Sequence, residues 1–176
     1  MLGKDRVERF DGWFRGVALG ALVVGCASAG DREVAASRAE DTAVQAAAIR
    51  WVIDNNDSAL GSSATAYCVG VGSGLVVGEP SLALIQALRG TLPPVQPISR
   101  CRWARDAAVG RRVVDDLSLA PALALLVDQP EWEGPDEARV WVEYLERPGL
   151  GRGYDCVLSR VASGWQVTDC DRGFPR

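Results

Sequence analysis

The segment Tyr154–Arg172, YDCVLSRVASGWQVTDCDR, carries two cysteines on either side of a turn signal. Ala162-Ser163-Gly164 reads as a three-residue hairpin loop ending in glycine, a common type. In that register Val161 faces Trp165, and stepping outward places Cys156 opposite Cys170. Directly opposed residues bring their Cβ atoms to ~4.5–5.5 Å, from which a slight adjustment reaches disulfide geometry. A hairpin that can be closed covalently fixes its own register, and the fold has to be built around it.

The preceding segments supply the partners. EDTAVQAAAIRWVIDNND (40–57) has acids at its head, a helical spacing of Val44, Ala48, Trp51, Val52 and Asn55, and turn formers at its end. SSATAYCVGV suits a strand carrying Cys68, and Pro80-Ser81 opens a second helix with Leu84, Ile85 and Leu88 on one face. TLPPVQPIS is expected to be irregular, because its prolines remove donors and fix φ. Beyond it CRWARD, GRRVVDDL, ALALLVDQ, EARVWVEYLE, YDCVLSRVA and WQVTDCD read as strands, separated by signals such as Gly134-Pro135-Asp136 and Pro148-Gly149. In EARVWVEYLE, Ala138, Val140, Val142 and Tyr144 share one face, while Glu137, Arg139, Trp141 and Glu143 share the other. Helices first and strands afterwards predict an α+β domain, with N-terminal helices packed on an antiparallel meander. This order resembles the cone-shaped nuclear-transport-factor-2-like and cystatin-like folds. More loosely, AYC with a proline-started helix, PPV, SRCR and a terminal Gly-Trp hairpin resemble a pattern in uncharacterised secreted bacterial proteins, which implies no activity.

A chain of 176 residues allows one domain with a real core. Its formal charge of −4, with no basic stripe in the domain, disfavours nucleic-acid binding. It has no histidine, and its only lysine is Lys4. These absences remove Ser-His and Cys-His nucleophile pairs, most zinc and haem sites, and Schiff-base or P-loop lysine chemistry in the domain. No cofactor is implied, and a non-enzymatic role is expected.

Residues 1–15 are charged, and Gly16–Gly25 form an uncharged run of ten. Ten residues are too few for a membrane-spanning helix, which needs ~20, but fit the apolar region of a secretory signal. Val23-Val24-Gly25-Cys26 follows at once and resembles the lipobox of bacterial lipoproteins. The resemblance implies cleavage between Gly25 and Cys26, a lipid on the Cys26 thiol, and a domain facing the periplasm or exterior. Small Ala27 after the cysteine resembles the outer-membrane sorting pattern. Two other readings of the run stay open: a buried helix, and an ordinary secretory signal cleaved elsewhere. The implied organisation is a signal at 1–25, a flexible tether at 26–40 and one domain at 41–176.

Export implies an oxidising compartment, where disulfides persist. With Cys26 assigned to lipid, Cys68, Cys101, Cys156 and Cys170 remain as an even set. The hairpin register favours Cys156 with Cys170, which leaves Cys68 with Cys101. Without histidine or a C-x-x-C pair, the spacing gives zinc no support.

The other candidate features are weaker. Gly70-Val71-Gly72-Ser73-Gly74 departs from the dinucleotide spacing and reads as a connection. Glu131, Glu133, Asp136 and Glu137 around Trp132 suit a solvated loop, with carbohydrate chemistry as the alternative. Asp115-Asp116 and Asp155, Asp169 and Asp171 lack EF-hand spacing. Trp132 and Trp141 mark a candidate binding surface, Trp141 because its strand face is otherwise polar. The expected protein is a lipid-anchored binding or envelope-accessory module with an unspecified protein or small-molecule partner. The alternatives are a carboxylate-dependent glycan enzyme and a toxin-neutralising immunity lipoprotein.

Overall fold

The computed structural model describes residues 29–174, apart from 57, 59–62, 75 and 108–109. The lipobox and Cys26 therefore lie outside the described residues. Helix α1 (Ala29–Asn55) buries Val44, Gln45, Ala48, Ile49 and Val52, two adjoining i, i+4 rows along one stripe. Its end is closed by Asn55, whose Nδ2 donates to the Trp51 carbonyl at 2.8 Å. The helix expected over 40–57 is present but starts at Ala29, so most of the stretch expected as a tether at 26–40 is helical. Alanines, Arg38 and Glu40 are good helix formers, and the exposed side chains of 34–39 show that this part needs no packing. Helix α2 (Leu82–Ala87) is capped by Ser81, whose Oγ accepts from the Leu84 N–H at 3.1 Å, and it buries Leu84.

The strands are β1 (Ala66–Ser73), β2 (Val76–Gly78), β3 (Val95–Pro97), β4 (Cys101–Asp106), β5 (Gly110–Asp115), β6 (Ala122–Val127), β7 (Glu131–Gly134), β8 (Glu137–Arg147), β9 (Leu150–Val161) and β10 (Gly164–Gly173). Eight form one sheet in the order β10-β9-β8-β6-β1-β2, with β3 also on β1 and β7 also on β8. The class is α+β. The meander expected at the C-terminus is β8-β9-β10, but the sheet is mixed, because β1 runs parallel to both β6 and β3. The proline-rich loop thus contributes a strand after all. A three-residue edge strand needs few donors, so Pro97 can end it, and Pro94 supplies its carbonyl to the Tyr67 N–H at 2.9 Å. The acidic segment EWEG, expected as loop, likewise pairs with β8 as β7.

Strand β6, ALALLV, is buried at all six positions. Its odd-numbered residues Leu123, Leu125 and Val127 meet α1, α2, Tyr67, Val69, Val140, Val142 and Tyr154 in the main core. On the opposite face Ala122 and Ala124 pack with Ala66, Cys68 and Val113. Val113 belongs to the β4-β5 hairpin, a separate two-stranded sheet that lies over this second face. A continuous apolar strand is what two-sided cover requires.

Both cysteine pairs are disulfides, Cys68–Cys101 with Cα atoms 6.2 Å apart and Cys156–Cys170 with Cα atoms 4.1 Å apart. Two disulfides fit an oxidising, extracytoplasmic environment. The β9-β10 register reaches Cys156 by an unexpected route. Gly164 pairs with Val161, so the turn has two residues rather than three, and a bulge between Val167 and Asp169 restores the missing step.

Trp141 and Glu143, expected on a polar strand face, are both covered to some degree: Trp141 is half-buried and Glu143 fully buried. The Trp141 ring lies on Gly153 and Gly173, where an added Cβ would overlap it or come within 2.7 Å, respectively, and its Nε1 donates to Glu143 at 3.2 Å. The indole covers sheet positions that have no side chain of their own. Gly153→Ala should therefore destabilise by about 1–3 kcal/mol through overpacking, measured by chemical denaturation. In a Trp141→Ala background the same change should cost less than about 0.5 kcal/mol; equal costs would show that the ring is not the obstacle.

Candidate functional site

The hairpin over the second face does not close on it completely. Cross-strand pairing sets Cys101 opposite Asp115, Trp103 opposite Val113 and Arg105 opposite Arg111. Cys101 is bonded to Cys68 and Val113 packs on the sheet, so this series of alternate residues faces inward. Trp103 is nevertheless 37% exposed. Beneath it a cleft of about 230 Å³ opens onto Ala124, Leu126 and Leu145 and extends to Val77 and Ile98, with Arg102 as the one charged side chain in its lining.

Small residues shape this space. Ala124 leaves the floor low where a leucine would fill it. Gly70 lets three walls converge, since a Cβ there would lie 2.5 Å from Val77, 3.0 Å from Leu126 and 3.4 Å from Ile98. The Gly70–Gly74 stretch, expected as a connection, is the end of β1 and its turn into β2, with φ of +111° at Gly72 and +61° at Gly74.

The root of the hairpin is held by polar contacts as well as by the disulfide. Gln96 Nε2 donates to Asp115 Oδ2 at 2.8 Å and lies 3.4 Å from the Cys68 sulfur. Asp115 also accepts from the Ser118 N–H at 2.7 Å, the Ser118 hydroxyl at 2.8 Å and the Leu117 N–H at 3.1 Å. The backbone N–H of Ser118 is the first cause, with Gln96 and the Ser118 hydroxyl next, that holds the Asp115 carboxyl well below the usual carboxylate range. Asp115 is thus a turn-and-anchor residue.

The tryptophans picked out from the sequence do not share a surface. Trp132 pairs with Ala138 on the helix side of the sheet, donating to Asp41 at 3.0 Å and meeting Trp165 edge-on at 5.4 Å. Trp165 donates to Glu40 at 2.9 Å, and Arg160 reaches Glu40 at 2.8 Å. Those two contacts, Trp165 first, lower the Glu40 pKa. Together they clamp α1 to the distal end of the meander. Trp141 lies on the other face as the glycine cover described above. Of the acidic candidates, Glu133 lies 2.9 Å from Arg139, which also reaches Asp155 at 3.4 Å, so these groups form a charge network rather than an apposed carboxylate pair. Among the described residues no group of acids and cysteines is arranged to hold a metal ion.

Sequence reasoning missed Trp103 and the cleft. The available signal was the inward alternation of CRWARD against GRRVVD, legible only once the pairing across residues 107–109 is known. The architecture defines an α+β domain with a disulfide-tethered arm over an apolar cleft. Compared with protein families, curated proteins and solved structures, the chain shows no significant match.

The Asp115 anchor sets a pH dependence. Its folded pKa is depressed below the unfolded ~3.9, so its stabilisation is present above that value and is lost as pH falls toward the folded pKa. The denaturation midpoint of the wild type should fall between about pH 4 and pH 2. Asp115→Asn, already less stable at pH 7, should fall less over the same window. Parallel curves would remove Asp115 as the acid-sensitive anchor.

Proposed function

We propose that the protein is a lipid-anchored extracytoplasmic binding module, attached through Cys26 and contacting its partner at the cleft beneath the β4-β5 arm. The observation that carries the binding reading is Trp103. It is on the covered side of the arm, yet its indole stays partly exposed above an apolar floor. Concave apolar sites with a few polar groups are where small ligands and anchoring side chains bind. The anchoring part rests on the lipobox resemblance and on two disulfides that suit an exported domain. Acylation of one cysteine with two or more chains would hold the domain firmly, whereas one myristoyl-sized chain holds only marginally. Among the described residues no helix is long and apolar enough to cross a membrane.

The architectural likeness to nuclear-transport-factor-2-like and cystatin-like folds is part of the same reading, supported by helices packed on one face of a strongly strand-rich sheet. The glycan-enzyme alternative draws on Glu131 and Glu133, and the Glu133–Arg139–Asp155 network supports a structural role for that corner instead.

Labelled palmitate should enter the wild-type protein and not Cys26→Ser; label that persists in the variant would overturn the anchor. In a strain lacking the protein, Trp103→Ala should fail to complement while present at normal level with both disulfides, whereas Glu131→Ala/Glu133→Ala should complement. The reverse pattern would replace binding by carboxylate chemistry.

A further inference from the structure

The β4-β5 arm separates its charges by face. Residues 100–116 hold five arginines and three aspartates, a net charge of +2 in a chain of −4. Two of the arginines are matched: Arg102, which also lines the rim of the cleft, meets Asp116 at 2.6 Å, and Arg112 meets Asp106 at 3.0 Å. On the inner face Arg105 and Arg111 stand directly opposite each other, and neither enters an ion pair among the described residues. Like charges in direct cross-strand register are destabilising, so this pairing works against the hairpin unless an anion joins it. It falls one inward position beyond Trp103 and Val113, ~7 Å along the strands. An apolar cleft and an uncompensated cationic pair therefore follow one another on one surface.

We propose that this surface binds a medium-chain monocarboxylate, with its apolar tail in the cleft under Trp103 and its carboxylate on Arg105 and Arg111. The proposal rests on the reading of the domain as a binding module and names the ligand class. Size sets the tail. A cavity of ~150 Å³ takes benzene, so about 230 Å³ accommodates a tail of roughly eight carbons. The two chains of a phospholipid exceed it. Charge sets the head, because guanidinium pairs bind carboxylates through charge-assisted hydrogen bonds.

Octanoate is the probe, titrated calorimetrically into the full chain, with octan-1-ol and octylammonium as equal-length comparators. Octanoate should bind with a Kd below about 1 mM, and octylammonium at least tenfold more weakly. Arg105→Gln/Arg111→Gln should weaken octanoate at least fivefold, leave octanol unchanged and abolish the salt dependence. Ala124→Leu, which fills the floor, should weaken octanoate and octanol alike by at least tenfold. If Ala124→Leu does not fold, Trp103→Ala takes its place with the same expected loss. Equal binding of octanoate and octylammonium, or octanoate affinity retained in both cleft variants, overturns the proposal. So does arginine-dependent attachment to anionic phospholipid vesicles without octanoate binding, which would make the arm a membrane contact. Failure with octanoate alongside failed complementation by Trp103→Ala rejects the ligand class and leaves the binding reading standing.

Discussion

A six-residue strand with no polar side chain has to be covered on both faces, and β6 imposes that demand on the rest of the chain. Its two flanks are taken by β1 and β8, so all its cover must come from above and below. Helix α1 meets the demand on one side with the stripe of Val44, Ala48, Ile49 and Val52. The second side has no helix to spare. It is covered by the β4-β5 hairpin, which packs through Val113 onto the alanines of β6 and is joined to β1 by Cys68–Cys101. The disulfide supplies by covalent constraint what a two-stranded arm cannot supply by buried area alone, since isolated hairpins are marginal in water. By the chain-entropy relation, a closed loop with a sequence separation of 33 contributes about 3.7 kcal/mol.

The strands were legible in the sequence because their signal is local. Alternation placed Ala138, Val140, Val142 and Tyr144 on the core face, where all four are buried. Layering was less legible. The unbroken apolarity of ALALLV already implied two covered faces, but which segment would supply the second layer depended on a long crossover between β1 and β6. The parallel pairing of those strands is non-local and leaves no mark in either one. The terminal hairpin shows how a register can be right while its local origin is not. A three-residue turn was expected, yet a two-residue turn followed by a bulge moves the outer half of β10 by the same single step. Side-chain period is two, so only the sum of these offsets decides whether Cys156 and Cys170 meet.

One sequence mark can have two structural origins. Trp132 and Trp141 stood out as aromatics among charges, which is the sequence mark of a binding surface. It is also the mark of aromatics whose polar N–H reaches a carboxylate while the ring fills a gap. Asp41 and Glu143 supply those carboxylates, and the gap beneath Trp141 is made by two glycines distant in sequence from it. Trp103 looked less distinctive, because CRWARD carries charges on both of its faces, Arg102 and Asp106 on one and Arg105 on the other, so no apolar side was marked. Its significance comes from pairing with Val113 and from the low floor at Ala124, neither of which a local window contains.

A cleft lined by apolar atoms is expected to collapse unless something holds its walls apart. Here the arm is fastened at its root, by the disulfide, by Gln96 on Asp115 and by the Ser118 turn. Toward its tip the inward pair Arg105 and Arg111 disfavours descent onto the sheet, because burying unpaired guanidinium groups against apolar surface carries a large desolvation cost. Root attachment and tip charge thus act in opposite senses on the same two strands, and the space beneath Trp103 is what remains between them. Replacing the root contacts would free the arm, whereas apolar side chains at the tip would let it close; glutamines in place of Arg105 and Arg111 remain polar and keep it raised, so root and tip act on the cleft in opposite directions even though both lie on one hairpin.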